Sequence, residues 1–414
     1  MKIRFQMSSI GTEKLTPFIL LLICGLSTES IIRYVVQFLV RLPLIGGFSI
    51  IVEPLIFVTL TLFCIKRIAR NIQAPDFLFV LVFYFALFLS MLINADNVPY
   101  IMEHLFEIFF VIVPFFFLGL SVKVDIALKK WLYYASCFAI VIAWAYLVYF
   151  YSTGRQFSTD SMYEAYALVV HVLIVLWCTM DEPKICNILF SAAGILYLFS
   201  MGTRGTIIIS LAFICIYLLS KSKRNIKLRV MVIIIAAVVA YIFLCTDIIK
   251  EIMLEFRQIV QVMGLSTRIF DSYLFGAAQD SIAERNAIYS LLLKQLNEQP
   301  LIGYGLFGEY PYINWSAHNM YLQVCFNFGY PIGILLIGAF IYLIVKALHV
   351  TSDPLAKGFM LIWICYIIPQ GFFGGNILSY YMFFTIGLLV GQIRRNRNMR
   401  GYLLDENTAH IKQV

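Results

Sequence analysis

Residues 318–346 read HNMYLQVCFNFGYPIGILLIGAFIYLIVK. The stretch carries no charged residue before Lys346 and is longer than the roughly 20 residues a helix needs to cross ~30 Å of hydrocarbon. Runs of the same character recur along the chain, at about 15–40, 44–65, 76–94, 101–121, 131–151, 162–180, 185–201, 204–220, 227–246, 356–373 and 376–393. With 318–346 they make about twelve transmembrane helices. Strands of alternating polarity, the mark of a membrane β-barrel, are absent, so the expected fold is an all-α polytopic membrane protein.

Composition agrees. The chain is 61% hydrophobic and only 13% charged, where a soluble domain of its 414 residues would be about a quarter charged. Mean hydropathy is +0.87. The net charge of +8 does not point to nucleic acid, because most Lys and Arg lie in short loops beside apolar runs. The nine cysteines are scattered singly, with no C-x-x-C and none in the long loop described next, which argues against disulfides and thiolate metal sites. The first apolar run lacks a small-residue cleavage site and is read as a retained span.

Between 247 and 317 the chain leaves the apolar pattern for one long excursion, whereas every other connection is short. Four units follow: helices one to nine over 1–246, a loop with amphipathic helices over 247–317, helices ten to twelve over 318–393, and a polar tail over 394–414. Basic residues at both termini, at Lys66-Arg67, Lys129-Lys130 and Lys221 to Arg229 all fall on one side of a twelve-span topology. That side is the cytoplasmic one, so both termini are expected inside and the long loop outside. Loops held by a rigid scaffold are where function concentrates.

Three residues on the outer side carry candidate chemistry. Arg204, in Gly202-Thr203-Arg204-Gly205-Thr206, stands where a helix begins. Free N–H groups and a guanidinium there suit an anion; the plainer reading is an interfacial Arg whose head reaches water. Arg285 follows Ser281-Ile282-Ala283-Glu284, which reads as a capping box opening a helix that Pro300 ends. Ile288, Leu292 and Leu296 continue its face, so Arg285 is aimed at the docking surface and needs an anionic partner, a substrate or a loop acid. His318 starts the apolar run quoted above. With an ordinary pKa of ~6.5 it can act as a general base, or it can simply sit at the interface. His171 lies mid-span as a core residue, and His104 starts a span near Glu103 and Glu107. Gly303-Tyr304-Gly305-Leu306-Phe307-Gly308 matches G-x-G-x-x-G, but a helix and Pro300 precede it instead of a strand, so it reads as a flexible or a tightly turned loop. No motif supports a metal site.

In their order and spacing, Gly202-Thr203-Arg204-Gly205, Arg285 with Tyr289, Pro300 to Gly305, and His318-Asn319 with Leu322 and Gly329 resemble the O-antigen polymerase and O-antigen ligase superfamily. The likeness covers about residues 194–335. It implies a GT-C-like fold in the bacterial inner membrane and transfer of an undecaprenyl-diphosphate-linked glycan at the periplasmic face. No nucleotide sugar, metal or other cofactor is implied. The family's two functional arginines map onto Arg204 and Arg285 and its histidine onto His318, which are read as catalytic; Asn319, Arg155 and Tyr289 are read beside them as substrate-binding residues. A lipid-linked acceptor, membrane lipid and a chain-length regulator protein are the implied partners. Two departures stand out: Tyr289 where many relatives have Trp, and Glu164-Ala165-Tyr166 where relatives often show an Asn-containing segment. A polymerase accepts another lipid-linked repeat, whereas a ligase accepts lipid A–core. The abundance of Ile, Phe, Tyr and Asn, common in surface-polysaccharide gene clusters, leans towards polymerase. A flippase for lipid-linked glycans is the alternative of another class, but transporters gather charge near the bilayer midplane and here it gathers at one face.

Overall fold

The computed structural model describes residues 69, 72–152, 161–201, 203–221, 248–262, 267, 271, 278–314, 316–374 and 376–411. All regular structure among them is helical. The expected runs at 15–40, 44–65 and 227–246, and Arg155, lie outside the described residues.

In chain order the helices are α1 (Ala74–Ile93), α2 (Val98–Glu107, continued through a π turn at Ile108–Ile112 into Val113–Ser121), α3 (Ile126–Ser152), α4 (Ser161–Asp181), α5 (Ile185–Ser200), α6 (Arg204–Lys221), α7 (Ile248–Val262), α8 (Ala278–Glu298), α9 (Tyr310–Ile313), α10 (Met320–Val350), α11 (Pro354–Phe373) and α12 (Tyr380–Ile411). Among the described residues, five stretches are long and apolar enough to cross a membrane: Ala74–Ile93, Ala95–Ser121, Ile126–Ala145, Met320–Val350 and Pro354–Phe372. Ala165–Asp181, Ile185–Ser200 and Gly205–Lys221 are shorter apolar helices. The π turn in α2 ends two residues before Pro114, which lacks the N–H a regular helix would need there.

Apolar side chains face outward as well as inward, as lipid contact requires. On α1, Phe77, Leu81, Phe85, Phe88 and Leu92 are exposed. The polar side chains Ser136, His171, Thr206 and Thr385 are buried instead. α4 runs through the middle of the bundle, with Val169, Val172, Leu173, Val175 and Trp177 fully enclosed. His171 on this helix shares a 3.0 Å hydrogen bond with Ser136 of α3, in keeping with its reading as a core residue. α2 and α12 meet backbone to backbone. A Cβ on Gly387 would lie 2.0 Å from the Phe116 carbonyl oxygen, and one on Gly391 would lie 2.6 Å from that of Leu120. The G-x-x-x-G spacing on α12 thus removes the side chains that would hold the helices apart.

Polar contacts gather at the two ends of the bundle. At one end Asp76 takes two hydrogen bonds from Arg394, and Asp181 pairs with both Lys129 and Lys221. At the other end Asn97, Ser90, α8 and the loop 299–319 come together. Arg285 and His318 belong to this second end.

Two elements differ from expectation. α8 begins at Ala278, three residues before the expected cap at Ser281, so Ser281 to Glu284 form part of the helix itself. The run at 318–346 is not one smooth helix, because α10 breaks at Gly329 (φ 74°, ψ 166°).

Candidate active site

The break in α10 follows from its sequence. Pro331 has no N–H to offer the Asn327 carbonyl four residues earlier, and Gly329 tolerates the positive φ. The exposed backbone groups are satisfied by the loop 300–305. Gly305 N–H donates to the Asn327 carbonyl at 2.8 Å, and Tyr304 N–H donates to the Phe326 carbonyl at 2.9 Å. In return Tyr330 N–H donates to the Pro300 carbonyl at 2.8 Å. The strands of backbone pass so closely that a Cβ on Gly303 would lie 2.4 Å from Gly329 N. The G-x-G-x-x-G stretch is therefore a clasp on a broken helix, the tightly turned one of the two loop forms expected of it. Asn97 Nδ2 holds the same loop through the Tyr304 carbonyl at 2.8 Å, and Ser90 Oγ accepts from Leu306 N–H at 2.9 Å. His104 packs on it too, its ring 5.0 Å from that of Phe307.

α8 docks on this scaffold by the face its spacing indicated. Leu292 and Leu296 are fully buried with Tyr304, Ala317 and Phe326, and Ile288 packs beside them. Arg285 extends that face by one turn and is half-buried. Among the described residues no carboxylate forms an ion pair with it. One turn further along, the Tyr289 hydroxyl makes a long 3.5 Å contact with the His318 carbonyl. His318 has a left-handed backbone, φ 51°, unusual for any residue but glycine. The bend turns the chain directly into α10, whose N-cap is Asn319: its Oδ1 accepts from the N–H groups of Tyr321 and Leu322, each at 3.1 Å.

Arg204 is the first residue of α6; only its backbone is among the described parts of the chain. Beside it Thr203 and Thr206 share a 2.6 Å hydrogen bond that closes the helix start. Tyr166 of α4 links this start to α8. A Cβ on Gly205 would lie 2.0 Å from the Tyr166 hydroxyl oxygen, and the Arg285 charge acts on that same hydroxyl. Tyr166 thus packs on the Arg204 helix start within reach of the Arg285 charge, while α8 touches the His318 turn through Tyr289.

Two participants were not singled out in the sequence. Tyr166 was visible only as a departure from the superfamily pattern. Glu309, immediately after Gly308, is completely buried. Its Oε1 accepts from Gln323 Nε2. With the Asn327 amide nitrogen turned towards its acceptors, Glu309 Oε2 also accepts from Asn327 at 2.8 Å. Burial pushes its carboxyl up to about 7, although backbone and Gln323 hydrogen bonds pull the other way. The available signal was Gln323 and Asn327, two amides one turn apart in an otherwise apolar run.

Residues 189–338, about a third of the chain, match the family model for O-antigen ligase. The matched stretch runs from α5 to the first half of α10 and contains Arg204, Arg285 and His318. It agrees with the resemblance to the O-antigen polymerase and ligase superfamily and, together with the apolar helices, indicates a bacterial membrane protein. No curated protein and no solved structure matches the chain.

Proposed function

We propose that this protein is a surface-polysaccharide polymerase, which transfers a glycan from undecaprenyl diphosphate to a lipid-linked repeat unit at the periplasmic face of the inner membrane. The observation that supports this reading is the contact of α8 with the His318 turn, where the Tyr289 hydroxyl lies 3.5 Å from the His318 carbonyl and Arg285 stands one turn before Tyr289 on the same helix. Twelve spans of GT-C-like arrangement, with both termini cytoplasmic, would supply the scaffold.

The chemistry follows from the charges. As the C1–O bond to phosphate breaks, negative charge builds on the leaving diphosphate. Arg204 and Arg285 would neutralise it, and a guanidinium fork suits phosphoryl oxygens. His318 would take the proton from the acceptor hydroxyl while that oxygen bonds to C1. The electron pair of the broken bond leaves with undecaprenyl diphosphate, and attack from the opposite face inverts the anomeric centre. Asn319, Arg155 and Tyr289 would contact the glycan, and a chain-length regulator would act as partner.

The description of the matching family favours a second reading, ligase activity, with the same donor and lipid A–core as acceptor. Deleting the gene and analysing surface and carrier-bound glycan separates the two. A polymerase mutant displays single repeats at the surface. A ligase mutant leaves finished polymer on the lipid carrier.

A further inference from the structure

Glu309 is buried with no cationic partner among the described residues, an arrangement that costs free energy unless something is gained by it. Its neighbours indicate the gain. Gln323, which donates to its Oε1, accepts in turn from Ile377 N–H at 2.9 Å, just ahead of α12. Asn327, which donates to its Oε2, also donates to the Gly305 carbonyl at 3.1 Å. One carboxyl group therefore ties the clasp loop to α10 and, through Gln323, to the turn before α12.

The bond to Gln323 spans 14 positions and closes a ring of chain around the His318 turn. Within that ring α9 starts from the Glu309 carbonyl, which accepts from Tyr312 and Ile313 N–H at 3.0 and 3.2 Å. Asn314 then bends the chain with φ 60° and His318 bends it again with φ 51°. Ala317 is fully buried between them, and Gln323 N–H returns to the Asn319 carbonyl at 2.9 Å. Two left-handed residues with side chains need surroundings that hold them. Among the described residues, the side-chain hydrogen bond that shuts the ring is Glu309 on Gln323.

We propose that Glu309 is a positioning residue for His318: its carboxyl closes the segment 309–323 onto α10 and thereby fixes the turn from which the imidazole reaches its substrate. Gln323 Nε2 can donate to the carboxyl in either protonation state, so the clasp holds across neutral pH. Full burial keeps Glu309 itself from touching substrate. The catalytic consequence rests on the role proposed for His318, while the clasp does not.

The test uses purified full-length protein with E309A, E309Q and Q323A. Amide hydrogen exchange over residues 314–322 should speed up roughly 10- to 100-fold in E309A and Q323A, the scale of one lost charge-assisted hydrogen bond. E309Q, which keeps an acceptor oxygen for Gln323 but loses the one facing Asn327, should stay much closer to wild type than E309A, and E309A/Q323A should be no worse than either single variant. In transfer assays E309A should lower kcat by roughly 10-fold or more with KM for the lipid-linked donor nearly unchanged, because Arg285 lies outside the ring; E309Q should restore kcat. Unchanged exchange over 314–322 in E309A, or an increase spread equally over α8 and all of α10, would overturn the proposal. Local opening with unchanged kcat would support the clasp and count against His318 as the base.

Discussion

Replacing Gly205 with alanine probes the neighbour relation on which the site depends. The new Cβ would lie 2.0 Å from the Tyr166 hydroxyl oxygen and 3.0 Å from its Cζ. A carbon–oxygen contact needs more than 3 Å, so the phenol must retreat by about 1 Å against the bundle core. Overpacking of this size costs about 1–3 kcal/mol. Alanine's advantage over glycine in a helix returns up to ~1 kcal/mol, less in the first turn. Removing the hydroxyl by Y166F eliminates the worst contact and leaves only the 3.0 Å approach to Cζ. G205A should therefore lower the thermal midpoint in detergent by a few degrees in the wild-type background. In Y166F the same change should be neutral or slightly stabilising. The four proteins form a double-mutant cycle with a coupling of about 1–3 kcal/mol. An equal fall in both backgrounds would show that Gly205 does not make room for Tyr166, and the link from α6 to Arg285 would fail with it.

Arg204→Ala and Arg285→Ala should each slow transfer at least ~10²-fold at normal abundance, with Lys restoring only part, since an ammonium lacks the planar fork; full activity in either alanine variant removes that residue from the site. Because Glu309 is raised from its ordinary 4.5 to about 7, the folded protein binds this proton more tightly than the unfolded chain. Its contribution to stability is therefore best below 4.5 and is lost as pH rises through 7, by on the order of 3 kcal/mol. The fall in thermal midpoint between pH 5 and 8 should be smaller in E309Q than in wild type, and an equal or larger fall in E309Q would contradict the assignment. With the native cysteines replaced, a cysteine at exposed Gln299 should react with an impermeant reagent added outside the inner membrane, and one at exposed Lys184 should not; the reverse pattern inverts the topology.

Much of this architecture could be read in the residues because membrane helices are written in composition. The runs at 76–94, 131–151 and 356–373 correspond to α1, α3 and α11, since stretches so long and so poor in charge are stable only when covered by lipid or protein. The face of α8 was equally plain: Leu292 and Leu296 are buried where the 3.6-residue period put them, with Arg285 on the same face. The break at Gly329 left a trace in Gly329 and Pro331, but its partner, the backbone from Pro300 to Gly305, is fixed only by tertiary contact. The start of α8 was misplaced because Ser281 to Glu284 fit a cap by pattern, while Ala278, Gln279 and Asp280 continue the helix before it. Glu309 was out of reach for a different reason. A single acid in a loop looks solvated until the fold encloses it with Gln323 and Asn327.

The role proposed for His318, as the base of a glycan-transferring enzyme, is tested most directly by reconstitution. Purified protein given lipid-linked donor and acceptor should form a new glycosidic bond without ATP or nucleotide sugar. H318A should retain donor binding, the role proposed for the arginines, yet turn over at least ~10²-fold more slowly. An H318A protein that transfers at the normal rate would place the base elsewhere, and a wild-type protein that moves lipid-linked glycan across vesicles without ever forming a bond would contradict the enzyme reading itself.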